Sequence, residues 1–456
     1  MKRKIAVMCV LALTGTMMLT ACGNKKDSNN GKTSDGKTAI RFATWDVADD
    51  VDAQQKLVDK FNEEHDDIEV VLEAYGSDFD TKLSAGMGSG DTPDVVYMWN
   101  YPAYADGLEP LDEYIDKEGD DYKNDFYSTL WNYNSLDGTT YGIPVGFTTH
   151  SLFYNKDLFA QAGVEEPTDD WTWSDLQAAA KTIEEKTGQK GFAFQMKPDP
   201  YDFEMYLWSN GTAYCDEDGQ MAGQIDSKES QEVFKMFQDM EKDGYAIATE
   251  KNGTDEFRAG TVAMYVYGSW SIASLNEDGM NYGVAKIPSF DGKTSVSILS
   301  SSGLSISKDS KNKDAAWEFV KYWTGEECNK ARIGMELPVL NSVVESEGIM
   351  DEPEYAPFYE MLEQSDGHTP ASFLIEDWSE ISENLSLSFE QIFNPSSYMD
   401  VKDVLKEAAD AFHNSNQNAE YENANTENSY YKAFSINVTS KTWEVIRILK
   451  GYVYIY

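Results

Sequence analysis

The sequence predicts an α/β protein of two lobes. Three observations point there. The chain has 456 residues, too many for one compact domain of ordinary size. Its early part reads strand, helix, strand, helix, strand. A second such unit begins near His150.

The first unit opens with Ala39-Ile-Arg-Phe-Ala-Thr-Trp45, which alternates as a strand does. Ala53, Leu57, Val58 and Phe61 then recur at helical spacing. Residues 68–74 read as a second strand and Phe79 with Leu83 as a short helix. Residues 93–98 read as a third strand. Such an order implies a mostly parallel sheet, whose ligands sit beyond the carboxyl ends of the strands. Trp45-Asp46 and Trp99-Asn100 fall at such ends.

In the second unit, residues 151–154 read as a strand. Thr172 with Asp175 three residues on forms a capping box for a helix reaching about Gly188. Residues 191–196 are extended, and Val233, Phe234, Met236, Phe237 and Met240 stripe a helix. Residues 262–267 form a strand ending at Gly268-Ser269-Trp270. Residues 282–288 read as an extended passage between lobes. Ala315, Ala316, Phe319, Val320 and Trp323 stripe another helix, and residues 381–393 and 401–412 are two more.

Both ends differ from this body. Lys2, Arg3 and Lys4 precede a short apolar run that ends in Leu19-Thr20-Ala21-Cys22. The run is too short to span a bilayer comfortably and reads as a secretory leader over 1–21. Its end resembles the bacterial lipobox, which implies cleavage before Cys22 and a diacylglyceryl thioether on its sulfur. Residues 22–37 are polar and should form a flexible tether. Residues 413–428 read as a linker, and 430–456 as an atypical tail, aromatic, β-branched and net basic.

The formal charge of −43 repels nucleic acid and anionic headgroups, so neither is an expected partner. Cys215 and Cys328 lie too far apart for a disulfide framework and read as separate buried thiols. The four histidines, His65, His150, His368 and His413, have no metal-ligand spacing, and no cofactor motif appears. No Gly-x-Ser-x-Gly elbow is present. Carboxylates are so abundant that a glycosidase pair stays open, which leaves a secreted carbohydrate-active enzyme as the alternative reading.

Several stretches together resemble the family 1 extracellular solute-binding proteins, the maltose-binding-protein-like receptors of ABC importers. They are Leu57-Val-Asp-Lys-Phe-Asn62, Gly90-Asp-Thr-Pro-Asp-Val-Val96, Tyr141-Gly-Ile-Pro-Val145 and Leu152-Phe-Tyr-Asn-Lys-Asp157. Phe257-Arg-Ala-Gly-Thr-Val-Ala-Met264, Gly268-Ser-Trp270 and Ala315-Ala-Trp-Glu-Phe319 complete the set. The resemblance covers roughly 38–412 and implies a two-lobed, periplasmic-binding-protein-like (type II) fold. It assigns 38–146 and 290–335 to the first lobe, and 147–289 and 336–412 to the second. Hinges are expected at Pro144-Val145-Gly146, Ile287-Pro288 and Glu336-Leu337-Pro338.

The implied function is that of a lipid-anchored receptor on the extracytoplasmic face of the cell membrane. It would act as a monomer without cofactor or catalysis. It would capture a mono- or oligosaccharide between the lobes and pass it to permease subunits driven by a cytoplasmic ATPase. Sugars are read by aromatic rings against C–H faces and by fixed donors and acceptors for the hydroxyls. The candidates are Trp45, Asp46, Asp78, Trp99 and Asn100 on the first lobe and Thr148 at a hinge, where family members often place a polar contact. Tyr201, Trp208, Asn210, Trp270 and Trp378 follow on the second, with Ser301 and Ser302 offering hydroxyls. Asp78 has helix capping as its alternative role. Small residues beside Trp270, Gly268 and Ser269, are expected to leave a ligand room.

Overall fold

In the computed structural model, the described residues are 33, 36–365, 367–375 and 377–412, with two short strands at 447–449 and 452–454. The expected leader, Cys22, most of the tether and the 413–446 stretch lie outside them.

Strands β1 (Thr38–Thr44), β2 (Ile68–Ala74) and β3 (Val95–Met98) form a parallel sheet in the order β2-β1-β3. Their inward residues Ile40, Phe42, Val70 and Val95 are buried under the helix Ala48–Glu64 and the helix Lys313–Thr324. Phe42 packs against Tyr97, Phe319 and Trp323 with ring centroids 4.9–5.6 Å apart. Much of the aromatic excess is therefore core.

After the small hairpin of β4 (Ser135–Leu136) and β5 (Thr139–Thr140) comes β6 (Ile143–Asn155), buried along its whole length. In the second half lie β7 (Phe192–Gln195), β8 (Ala246–Thr249), β9 (Met264–Gly268) and β10 (Tyr282–Ala285). Then β11 (Leu299–Ile306) returns. The sheet order is β2-β1-β3-β11-β6-β9-β7-β8, with β10 also pairing β6. The first part of β6 pairs β11, while residues 150–155 pair β9 and β10, all antiparallel. One strand therefore runs through both halves.

The expected hinge at Pro144-Val145-Gly146 lies inside a continuous strand, and one other expectation changes. The register shifts opposite it, between Ser302 and Gly303, which accommodates a proline that has no N–H to donate. Residues 282–285, expected to pass between lobes, instead extend the second half's sheet.

The capping box is present. Thr172 Oγ1 accepts from Asp175 N at 3.2 Å and Asp175 Oδ2 accepts from Thr172 N at 2.9 Å, starting the helix Trp173–Thr187. That helix, Lys228–Lys242 and Trp378–Phe393 enclose a second core of Trp173, Phe203, Phe234, Phe237 and Phe393. Cys215 and Cys328 are buried free thiols. The tail strands β12 (Arg447–Leu449) and β13 (Tyr452–Tyr454) pair with each other. No described helix is long and apolar enough to cross a membrane.

Candidate functional site

The carboxyl ends of β1 and β3 point to one edge of the sheet, as parallel neighbours must. Trp45 is half-buried there, its ring edge-on to Phe79 at 5.3 Å and Tyr97 at 5.0 Å. Asp46 accepts from Thr44 Oγ1 at 2.8 Å and from Gln54 Nε2; burial raises its carboxyl above the usual range, against those hydrogen bonds. Trp99 is 45% exposed. Asn100 caps the next helical turn, its Oδ1 accepting from Ala103 N at 3.3 Å. Asp78 precedes the helix Phe79–Ser89 without a side-chain capping bond and stands in solvent.

Along β6, Gly146, Thr148 and His150 share one face, because side chains alternate. Gly146 must be glycine: a Cβ there would lie 2.2 Å from Glu336 Oε2. Glu336 reaches in beside Arg332, whose Nε is 3.7 Å away. The Arg332 guanidinium also donates to Trp323 O at 2.9 Å and Val145 O at 3.3 Å. Burial pushes Glu336 up to about 7 despite this neighbour, and Asp46 adds to the rise. The electrostatic group of Asp46, Arg332 and Glu336 thus ties the end of β1 to the crossing strand.

Thr148 is buried and committed: its Oγ1 donates to Thr149 O at 2.8 Å and accepts from Ser269 N at 3.0 Å. It positions the loop that carries Trp270. The Trp270 indole is 49% exposed and lies edge-on to His150 at 5.7 Å and Tyr267 at 5.0 Å. It also covers Gly268, where an added Cβ would meet the ring at 2.6 Å. Gly268 is therefore small to seat the indole, not to admit a ligand as the sequence suggested. Trp99 and Trp270 are the only tryptophans among the exposed large apolar side chains of the described residues. Exposing a ring of that size forgoes the burial most tryptophans obtain.

His150 and Asp202 were not singled out from sequence, although His150 is one pleat beyond Thr148 and Asp202 follows Tyr201. His150 is 2% exposed, and neither ring nitrogen has a protein hydrogen-bond partner. Burial lowers its pKa to about 4. Asp202 Oδ1 lies 3.9 Å from His150 Nε2. Burial, reinforced by Asp199, raises Asp202 to about 7. Both line a cavity of about 40 Å³ with Gln195, Asp199, Tyr206 and Asn252. Tyr201 spans the halves, its hydroxyl donating to Leu299 O at 2.7 Å and lying 3.4 Å from Tyr133 Oη.

Four candidates are held elsewhere. Ser301 is buried, its Oγ between Asn134 Nδ2 and Gly146 O at 3.1 Å each. Ser302 Oγ approaches Gly146 O at 3.5 Å. Asn210 donates to Glu229 O at 2.8 Å and accepts from Lys293 Nζ at 2.6 Å. Trp378 packs over Tyr214 at 6.2 Å against the second core. Trp208 is buried against His368 at 5.3 Å. The two rings, with Tyr133 and Phe373, line a separate cavity of about 650 Å³. Among the described residues no group of three or more His, Cys, Asp or Glu side chains is placed to hold a metal ion.

Comparison with known proteins places these features. The profile of the bacterial extracellular solute-binding protein family matches residues 45–330. The maltotriose-binding protein of Pyrococcus abyssi is 27% identical over 318 residues, 66% of this chain and 66% of that protein. The galactooligosaccharide-binding protein of Bacillus subtilis is 25% identical over 370 residues, 77% of this chain and 84% of that protein. A solved ABC substrate-binding protein from Listeria monocytogenes, in complex with cycloalternan, superposes with a TM-score of 0.70 at 26% identity. The match covers 83% of this chain and 99% of that one.

Proposed function

The chain belongs to the bacterial extracellular solute-binding protein family, and from that premise we propose that it captures a carbohydrate in the cleft between its lobes for an ABC importer. Family and two-lobed fold are those of binding proteins, not enzymes, so the carbohydrate-active enzyme is set aside.

The observation that carries the carbohydrate reading is the half-exposed Trp270 indole, held on a loop that Thr148 fixes through Ser269. A flat apolar face beside fixed polar groups suits a pyranose, which has both C–H faces and hydroxyls. Trp45, Trp99 and Tyr201 would supply further rings, and Asp46 an acceptor. The named ligands of similar proteins support the same class.

In this reading β6 and β11 carry the chain between lobes, and closure is a population shift driven by better ligand contacts in the closed form. Tyr127 N donates to Val339 O at 3.2 Å and Asn341 N to Asp125 O at 2.6 Å, which supports a return to the second lobe somewhat beyond residue 341. The receptor acts as a monomer, anchored by a lipid on Cys22, and delivers its cargo to a permease.

Thermal-shift and calorimetric titration with maltotriose, mannotriose and galactooligosaccharides test the ligand class. At least one should raise the melting temperature and be recovered unchanged; no response to any such sugar would overturn it. Cys22→Ser should move the protein from the membrane fraction to the medium, and a variant that stays membrane-bound would overturn the anchor.

A further inference from the structure

The cavity beside His150 is walled by a buried polar side chain that no protein partner satisfies. Buried polar side chains are nearly always hydrogen-bonded, yet both ring nitrogens of His150 stand without a partner at 2% exposure. Asp202 Oδ1 is 3.9 Å from Nε2, too far for a direct hydrogen bond. One oxygen atom about 2.8 Å from each group would bridge them.

We infer that this cavity is a polar subsite of the binding cleft, in which His150 and Asp202 together hold one hydroxyl of a neutral polyhydroxylated ligand. The subsite rests on the solute-binding reading above and extends it inward from Trp270, whose indole meets His150 edge-on.

Three features select the chemistry. A hydroxyl both accepts and donates, so it can take the N–H of a neutral imidazole and give its proton to a carboxylate. An ammonium can only donate and so fits only the tautomer with a bare Nε2, whereas a hydroxyl fits either tautomer. An anion has no counter-charge here, since the lining holds Asp199 and Asp202 but no Lys or Arg. Much of the remaining wall is apolar, with Phe194, Phe203 and Val266, and would cover the carbon skeleton, while Gln195 and Asn252 add polar groups. With a free volume of about 40 Å³, the space admits the polar end of a ligand rather than a whole oligosaccharide.

The test follows the ring ¹⁵N resonances of His150 in the full chain, assigned with His150→Gln, during titration with glycerol and with maltotriose, mannotriose and galactooligosaccharides. The subsite requires that glycerol, the smallest polyol, moves these resonances. In Asp202→Asn the response should need at least about tenfold more glycerol. Resonances unmoved by glycerol and by every sugar overturn the subsite, as does an unchanged response in Asp202→Asn. If glycerol moves them but no sugar binds, the subsite stands and the carbohydrate reading falls. If a sugar binds with the same affinity in wild type, His150→Gln and Asp202→Asn, the subsite falls and the carbohydrate reading stands.

Discussion

Two groups of ionisable side chains face the same side of β6, and they are built in opposite ways. Around Gly146, Arg332 is spent on two carbonyls and on Glu336, and Asp46 is held by Thr44 and Gln54. Four residues further along the strand, His150 and Asp202 face each other across 3.9 Å with a cavity beside them. The first group is internally connected and joins β1 to the crossing strand. The second is left open. Groups of similar chemistry thus serve as a tie in one place and as a candidate contact surface in the other. The difference is the cation: Arg332 binds two carbonyls and neutralises its neighbours, although its Nε and Glu336 Oε2 lack a hydrogen-bond partner, whereas no Lys or Arg lines the cavity of His150 and Asp202.

The largest effect should come from breaking the tie. Arg332→Ala leaves Glu336 and Asp46 without their cation and two carbonyls without a donor. Removing one partner of a buried pair costs about 3–5 kcal/mol, read as a lower midpoint of chemical denaturation. A midpoint within error of wild type would mean the group is not a tie. A smaller effect of another kind is expected at the open surface. Trp270→Ala should weaken sugar binding by about ten- to a hundredfold, or about 1–3 kcal/mol, with little change in melting temperature because the ring is half exposed. Unchanged affinity with a much lower melting temperature would make Trp270 packing instead.

The smallest effect sharpens the contrast through pH. Asp202 and Glu336 are raised to about 7, and Glu204 to about 8, all chiefly by burial. Between about pH 4 and those values the native state holds protons that the unfolded chain has released, so these groups make stability fall as pH rises through that window. His150, lowered to about 4 from 6.5, acts oppositely between those two values. The melting temperature should therefore be higher at pH 6 than at pH 8. Asp202→Asn should flatten that slope by a few degrees, and an equal slope in the variant would show that Asp202 does not titrate there.

The parts of this protein legible in sequence are those with short-range causes. Thr172 and Asp175 declare a helix start because the two groups that bond are three residues apart. The stripe from Ala315 to Trp323 declares a buried face because helical period alone sets it. Trp45-Asp46 and Trp99-Asn100 could be placed at strand ends because parallel order puts those ends on one edge. Trp270 could be placed from its motif after a strand, and Thr148 from its hinge position.

What sequence did not reveal has long-range causes. Ser301 and Asn210 offer the same donors as any site residue, but Gly146 with Asn134, and Glu229 with Lys293, use them up. Thr148 proved a brace for Ser269 rather than a free contact. His150 was read only as a histidine without metal spacing. Its meaning comes from Asp202, a residue on another element, and from the lack of any third group to satisfy it. Residues 143–149 were not read as a strand, and only pairing with β11 shows the strand running through the hinge proline.

The sequence by itself determined that two α/β units would form, where their helices start, and which aromatic residues would stand at strand ends. Periodicity and capping act over a few residues and need no partner from afar. Tertiary structure alone decided which polar groups are satisfied and which remain open to a ligand. A hydrogen bond is complete only when both partners are in place, and here the partners lie up to 273 residues apart along the chain.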